Sequence, residues 1–281
     1  MKRRSSNYFI GADTSDKSIL DCAEAAQSHE GHLNCILLAS LPNLPYFKYG
    51  TSKFFDAGLP ANWLDQLEEK RAELESRATE VEALLASKAV SANVKVSIGS
   101  GADLKHLAAR QSYTCDVAFL DAGLRNDPEI FREVGHGVLF HSPAALMING
   151  NPFAHRDCVV FAWDGSFAAS RAAHLGLHYF LEAKEVVIAC IDPPSAHDPE
   201  GHDTGADIAT WLSHHGCRVT VSQFPRGGLT IQQCIQERAK EVGADLIVMG
   251  AYGHSYLRES VFGGTTQAML EQASFPVLFG H

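Results

Sequence analysis

The chain lacks several features that would decide its class at once. No apolar run approaches the roughly 20 residues that a membrane-spanning helix needs. Its basic start, "MKRRSSNYFIGAD", carries too short an apolar stretch for a signal peptide before Asp13 arrives. Both absences point to a cytoplasmic protein with no membrane partner. A basic surplus is missing too: 23 Lys and Arg stand against 33 Asp and Glu, a formal net charge of −10. That argues against a nucleic-acid partner, because phosphate-backbone binding draws on a cationic face. The seven cysteines (Cys22, Cys35, Cys115, Cys158, Cys190, Cys217, Cys234) are odd in number and form no CxxC. They are expected to be buried thiols in a reducing compartment. Catalytic signatures are equally scarce. GxxxxGK[ST], GxSxG and HExxH do not occur, and "GSGADL" (99–104) lacks the third glycine of GxGxxG. No acid–base pair stands out, so no catalytic residue is assigned.

What is present is a strong alternation. The 281 residues, 46% hydrophobic and 20% charged, suffice for one large or two ordinary packed domains. In the second half, apolar runs at 158–163, 185–191, 217–224, 245–249 and 275–279 read as strands. Helical patterns lie between them at 164–183, 204–216, 230–243 and 265–273, with Asp164 and Ser166 as candidate caps and Gly216 and Gly243 as stops. The first half repeats this order, with strands at 8–12, 33–39, 93–98, 116–120 and 144–148. Asp13 answers Asp164, "CDVAFL" answers "ADLIVM", and "HSPAALMI" answers "ASFPVLF". Strands alternating with helices predict an α/β class with parallel sheets and right-handed crossovers. The repeat divides the chain into domains 1–150 and 151–281, joined at the turn-rich "NGNPFAHRD".

One insertion distinguishes the halves. Residues 41–62 form a Pro/Gly-punctuated loop with Tyr46, Phe47, Tyr49, Phe54 and Phe55, either a lid over a pocket or an interface. The helix after it, Trp63 to Ser87, should turn Leu64, Leu67, Leu74, Ala78, Val81 and Leu85 inward.

In doubly wound sheets, ligands bind beyond the carboxyl ends of the strands where the strand order reverses. For five strands in a flavodoxin-like or Rossmann-like order, that point is expected between the first and fourth. In the second half the first strand ends at Asp164, and the fourth runs into "MGAYGHSYLRESVFGGTTQ" (249–267). Gly250, Gly253, Gly263 and Gly264 would let backbone approach a ligand closely. A helix opening at Gly264, Thr265 and Thr266 would aim unpaired amides and hydroxyls at a phosphate. Arg258 and His254 either face that phosphate or stay on the surface, where Glu259 can pair with Arg258.

Gly250, two residues, Gly253, nine residues, Gly263, placed after the fourth strand, together with "FAWDGSFAASRA", resemble the universal stress proteins over essentially the whole chain, as two family domains in tandem. The resemblance implies two doubly wound five-stranded sheets of the adenine nucleotide alpha hydrolase-like kind. It implies ATP or a related adenine nucleotide, with or without magnesium, in the second half. Asp164 and the main chain near Cys190 would meet the adenosine end, and Met249 and Gly250 would flank the ribose. Gly253, Gly263, Gly264 and Thr265 would cradle the phosphates, with Thr266 nearby. Gly264 departs from the family's Ser or Thr. The first half departs further: Asp121 would put negative charge near phosphate, Gly123 stands alone, and Gly135 and Gly137 are off the spacing. It is expected to lack a regular nucleotide site and to pack against the second half as a pseudo-symmetric partner, with the whole chain pairing again as a dimer.

The implied role is regulatory, in a stress response, with slow ATP hydrolysis left open. Two alternatives remain. The fold could serve as an interaction or small-apolar-ligand module that has lost the nucleotide. Or a metal could bind at "SAHDPEGHD" through His197, Asp198, His202 and Asp203, with His214 and His215 following, although the spacing matches no standard zinc pattern.

Overall fold

The computed structural model describes residues 4–42, 62–192, 205–251 and 264–281. The first half runs β1 (Ser5–Ile10), α1 (Asp16–Ser28), β2 (His32–Ser40), α2 (Trp63–Ser87), β3 (Ser91–Gly99), α3 (Gly101–Gln111), β4 (Val117–Leu120), α4 (Pro128–His141) and β5 (Ala145–Ile148). The second runs β6 (Cys158–Ala162), α5 (Phe167–Glu182), β7 (Glu185–Ile191), α6 (Ala206–His214), β8 (Val219–Phe224), α7 (Ile231–Glu241), β9 (Leu246–Gly250), α8 (Gly264–Glu271) and β10 (Val277–Gly280).

Local chemistry explains the element ends. Ser15 and Ser166 cap α1 and α5 through their side chains. Ser100 with Asp103, and Thr230 with Gln233, close capping boxes on α3 and α7. Gly216 and Gly243 leave α6 and α7 in the left-handed region, at φ +91° and +65°, as helix-terminating glycines do. Every residue of β4, β5 and β10 is buried. Strands covered on both faces read as continuous apolar runs, which is why these segments show no alternation. The outer strand β3 does alternate.

All ten strands form one sheet in the order β3-β2-β1-β4-β5-β10-β9-β6-β7-β8. Each half is parallel and doubly wound, with its reversal between first and fourth strands, as expected. The halves join through an antiparallel pair, β5 with β10, in the register Ile148↔Val277 and Leu146↔Phe279. One apolar layer lies under α1, α2, α5 and α6, and the other under α3, α4, α7 and α8. Buried Phe153 helps seal the joint: a Cβ on Gly31 would stand 2.4 Å from its ring. The Tyr179 hydroxyl donates to the Pro152 carbonyl at 3.0 Å, and Arg4 of the first half pairs with Glu182 of the second.

The inward stripe of α2 begins later than its spacing predicts. Leu74, Val81 and Leu85 are buried, whereas Leu64 is 54% exposed and Leu67 is half-buried. A helix of 25 residues spans about 37 Å, while nine-residue β3 spans about 30 Å. The first turns of α2 therefore overrun the sheet. All but three of the insertion's residues (41–62) lie outside the described residues, at 43–61.

Candidate functional site

The two reversal points create two crevices, one between β6 and β9 and one between β1 and β4. In the second-half crevice, Asp164 follows β6 and stays exposed. Its Oδ1 accepts the Ser166 amide at 3.0 Å, while Ser166 itself caps α5 by accepting from the Ala169 amide at 3.1 Å. Of the two candidate caps, Ser166 is the cap and Asp164 braces the turn before it. Gly165, at φ +74°, gives that turn its left-handed step.

Met249 is buried in the layer under α7 and α8. Gly250 ends β9, where a Cβ would lie 2.5 Å from the Ala169 nitrogen and 2.6 Å from the Ala168 carbonyl carbon. The missing side chain lets the first turn of α5 press onto the strand end, so this glycine has a packing role beside any ligand role. Asp164, Met249 and Gly250 are thus brought to one end of the sheet. Cys190, near the carboxyl end of neighbouring β7, points its thiol into the layer under α5 and α6. Gly205 sits directly over it, since a Cβ there would be 2.8 Å from the sulfur.

Gly264 opens α8 and is exposed. Its φ is not left-handed, and a Cβ would meet nothing within 4 Å among the described residues, so neither conformation nor the described neighbours demand glycine there. Thr265 is half-buried and Thr266 buried, on the face that also buries Met269 and Leu270. Gly253, Gly263, His254, Arg258 and Glu259 lie outside the described residues.

The first-half crevice holds a carboxylate of its own. Asp121 follows β4 and is buried. Its Oδ2 accepts the Tyr8 hydroxyl at 2.6 Å. Its Oδ1 accepts the Thr14 hydroxyl at 3.0 Å and the Gly123 amide at 2.8 Å. Thr14 Oγ1 in turn accepts the Gly11 amide at 3.1 Å. Asn126 donates to Asp13 at 2.5 Å, which ties the short 3-10 helix Ala122–Asn126 across the crevice. Burial and, next, the Asp121 charge push the Tyr8 phenol far above its ordinary value, so it stays a donor. Burial also pushes the nearby Cys35 thiol up to about 12, which keeps it from acting as a thiolate nucleophile. Gly135 and Gly137 belong to α4. A Cβ on Gly137 would stand 2.2 Å from the Lys105 carbonyl oxygen, so that glycine seats α4 against α3.

Sequence reasoning missed Tyr8 and Thr14. A signal existed in the repeat. Tyr8 pairs with Phe119, and Phe161 with Val248, so Tyr8 and Phe161 hold the same place, as do Asp121 and Gly250. A hydroxyl and a carboxylate appear together in one half and are missing together in the other.

Among the described residues no group of three or more His, Cys, Asp or Glu could hold a metal. His197, Asp198, His202 and Asp203 lie outside them, and His215 packs edge-on against Trp211 at 4.6 Å. None of the seven cysteines is in a disulfide, and none is exposed. No helix among the described residues is long and apolar enough to cross a membrane.

Comparison with solved structures gives the same architecture. A protein of Pseudomonas aeruginosa PAO1 described as functionally unknown superposes with a TM-score of 0.57 at 15% identity, covering 98% of this chain and 92% of that one. A protein of P. aeruginosa UCBPP-PA14 provisionally described as a universal stress protein superposes with a TM-score of 0.55, with the same identity and coverage. At that identity the likeness concerns the fold alone. No curated protein matches the sequence significantly. Residues 228–279, from the turn before α7 to β10, match the model of the Universal stress protein family.

Proposed function

We propose that the second half binds ATP or a related adenine nucleotide in the crevice between β6 and β9, and that the output is regulatory rather than catalytic. The observation that supports this most is the exchange at the end of the fourth strand. Where the first half puts the buried, hydrogen-bonded Asp121 carboxylate, the second has Gly250. Asp164, exposed, lies at the same end of the sheet as Gly250, and along the chain the family-spaced glycines lead from Gly250 to the start of α8. An anion is repelled by the first arrangement. It is favoured by the second, because the first amides of a helix lack intrahelical partners and carry partial positive charge.

In this reading Asp164 and the main chain at Cys190 face the adenosine end, and Met249 and Gly250 flank the ribose. The amides of Gly253, Gly263 and Gly264, with the hydroxyls of Thr265 and Thr266, serve the phosphates. Magnesium, where bound, would neutralise phosphate charge. The two halves then act as an intramolecular pseudo-dimer with one occupied site, and a second copy of the chain is its expected partner.

Isothermal titration with millimolar ATP and magnesium tests the reading. One adenine nucleotide per chain is expected. No binding overturns it, and recovery of a lipid-like molecule from the purified protein would favour an apolar-ligand module. Two nucleotides per chain would overturn the role given to Asp121.

A further inference from the structure

The segment that fills the first-half crevice also reaches the second half. Arg125, in the short 3-10 helix after Asp121, extends to the C-terminal end of α8. Its Nη2 donates to the carbonyls of Leu270 and Gln272, each at 3.0 Å, and to Asn149 Oδ1 at 2.9 Å. Its Nη1 donates to the Glu271 carbonyl at 3.2 Å. The guanidinium carbon lies 4.3 Å from the Phe131 ring centroid, so α4 supports the plane of the fork. Asn149, at φ +54°, donates to the same turn, to the Gln272 carbonyl at 2.7 Å and the Phe275 carbonyl at 3.2 Å. The carbonyls of Leu270 and Glu271, the last two of α8, and those of Gln272 and Phe275 just beyond it therefore accept from Arg125 and Asn149 of the other half.

We infer that Arg125 is a positioning residue for phosphate binding in the second half, because by holding the C-terminal end of α8 it sets where that helix's N-terminal amides stand. The inference rests on the nucleotide reading above. Helix α8 has only eight residues, about 12 Å, and so short a helix has little stability of its own. A tilt of about 5° at its C-terminal end moves the first amides by about 1 Å, enough to spoil contacts that depend on aim. A cation at a helix C-terminus complements the carbonyl dipoles. The planar guanidinium meets four acceptors here, three successive carbonyls and Asn149 Oδ1, whereas lysine has only three donors on a single atom. The first half has a carboxylate in its own crevice and a guanidinium holding the helix that opens the other.

Titration of the full chain with ATP and, separately, with adenosine distinguishes positioning from general support. In Arg125→Gln, ATP binding should weaken about tenfold while adenosine binding changes less than twofold. Arg125→Lys should recover part of the ATP affinity, and amide exchange over 264–271 should quicken in the glutamine variant. Equal losses for both ligands would mean a structural role only and would overturn the inference. Unchanged ATP binding in Arg125→Gln, with wild-type binding intact, would overturn it while sparing the nucleotide reading. Absence of binding to the wild-type chain would remove both.

Discussion

The two crevices share a backbone and differ in charge. Each lies where the first and fourth strands of a parallel half part company, and each is flanked by a helix capped by serine, Ser15 or Ser166. In the first, Tyr8, Thr14 and the Gly123 amide converge on Asp121. In the second, Phe161 replaces the phenol and Gly250 the carboxylate. Burying a carboxylate is tolerable only when donors surround it, so Asp121 and its donors must come and go as a set. A fold duplicated in one chain can thus keep its geometry and hold a buried anion at one strand end while leaving the matching strand end without one.

The sharpest way to break the comparison is to move the carboxylate across. Gly250→Asp should destabilise the protein by about 3 kcal/mol or more, since even a Cβ would strike the α5 backbone, and ATP binding should vanish. A wild-type urea midpoint would show that the packing reason for this glycine is mistaken.

Removing the internal anion comes next. Asp121→Ala leaves the buried Tyr8 and Thr14 hydroxyls without their acceptor and should lower stability by about 2 to 3 kcal/mol in urea titration. Because the two residues act together, Tyr8→Phe on the Asp121→Ala background should cost less than Tyr8→Phe alone.

Tyr8→Phe alone should cost about 1.5 kcal/mol and leave a pH signature. The folded-state value of Tyr8 is raised above its ordinary 10.0, so its contribution is complete below pH 10. Above that, the unfolded chain gives up the phenol proton first, and stability falls as pH rises. In wild type the urea midpoint should drop more steeply above pH 10 than in Tyr8→Phe, and parallel slopes would contradict the buried-donor assignment.

The smallest effect is expected at Gly264→Ser. An ordinary φ and no neighbour within 4 Å among the described residues should hold the stability change within about 0.5 kcal/mol. A hydroxyl at the start of α8 should tighten ATP binding by roughly twofold to fivefold. Weaker binding would mean that the phosphates do not approach this turn.

Much of the fold was legible beforehand. The apolar runs became strands and the capped periodic segments became helices, because burial on both faces and cap chemistry are local properties. The inward set of α2 was legible only in part: periodicity marks a face, but only the sheet's extent decides where that face stops being covered. The candidate site was half legible. Glycine spacing marked the region, yet Gly250 acquired a packing reason that spacing alone does not disclose, and Thr266 proved buried. Tyr8, Thr14 and Arg125 were not anticipated, since nothing near them in the chain announces their partners.

From the sequence by itself came the alternating elements, their duplication, the acidic balance and the single surviving set of spaced glycines, all set by short-range pattern. Tertiary structure alone decided that the two parallel halves join antiparallel through β5 and β10 into one sheet. It also decided that Asp121 finds a phenol 113 residues away and that Arg125 closes a helix of the other half. The physical reason is common to all three. Buried polar groups and strand edges must be satisfied, but which distant group satisfies them depends on how the elements pack.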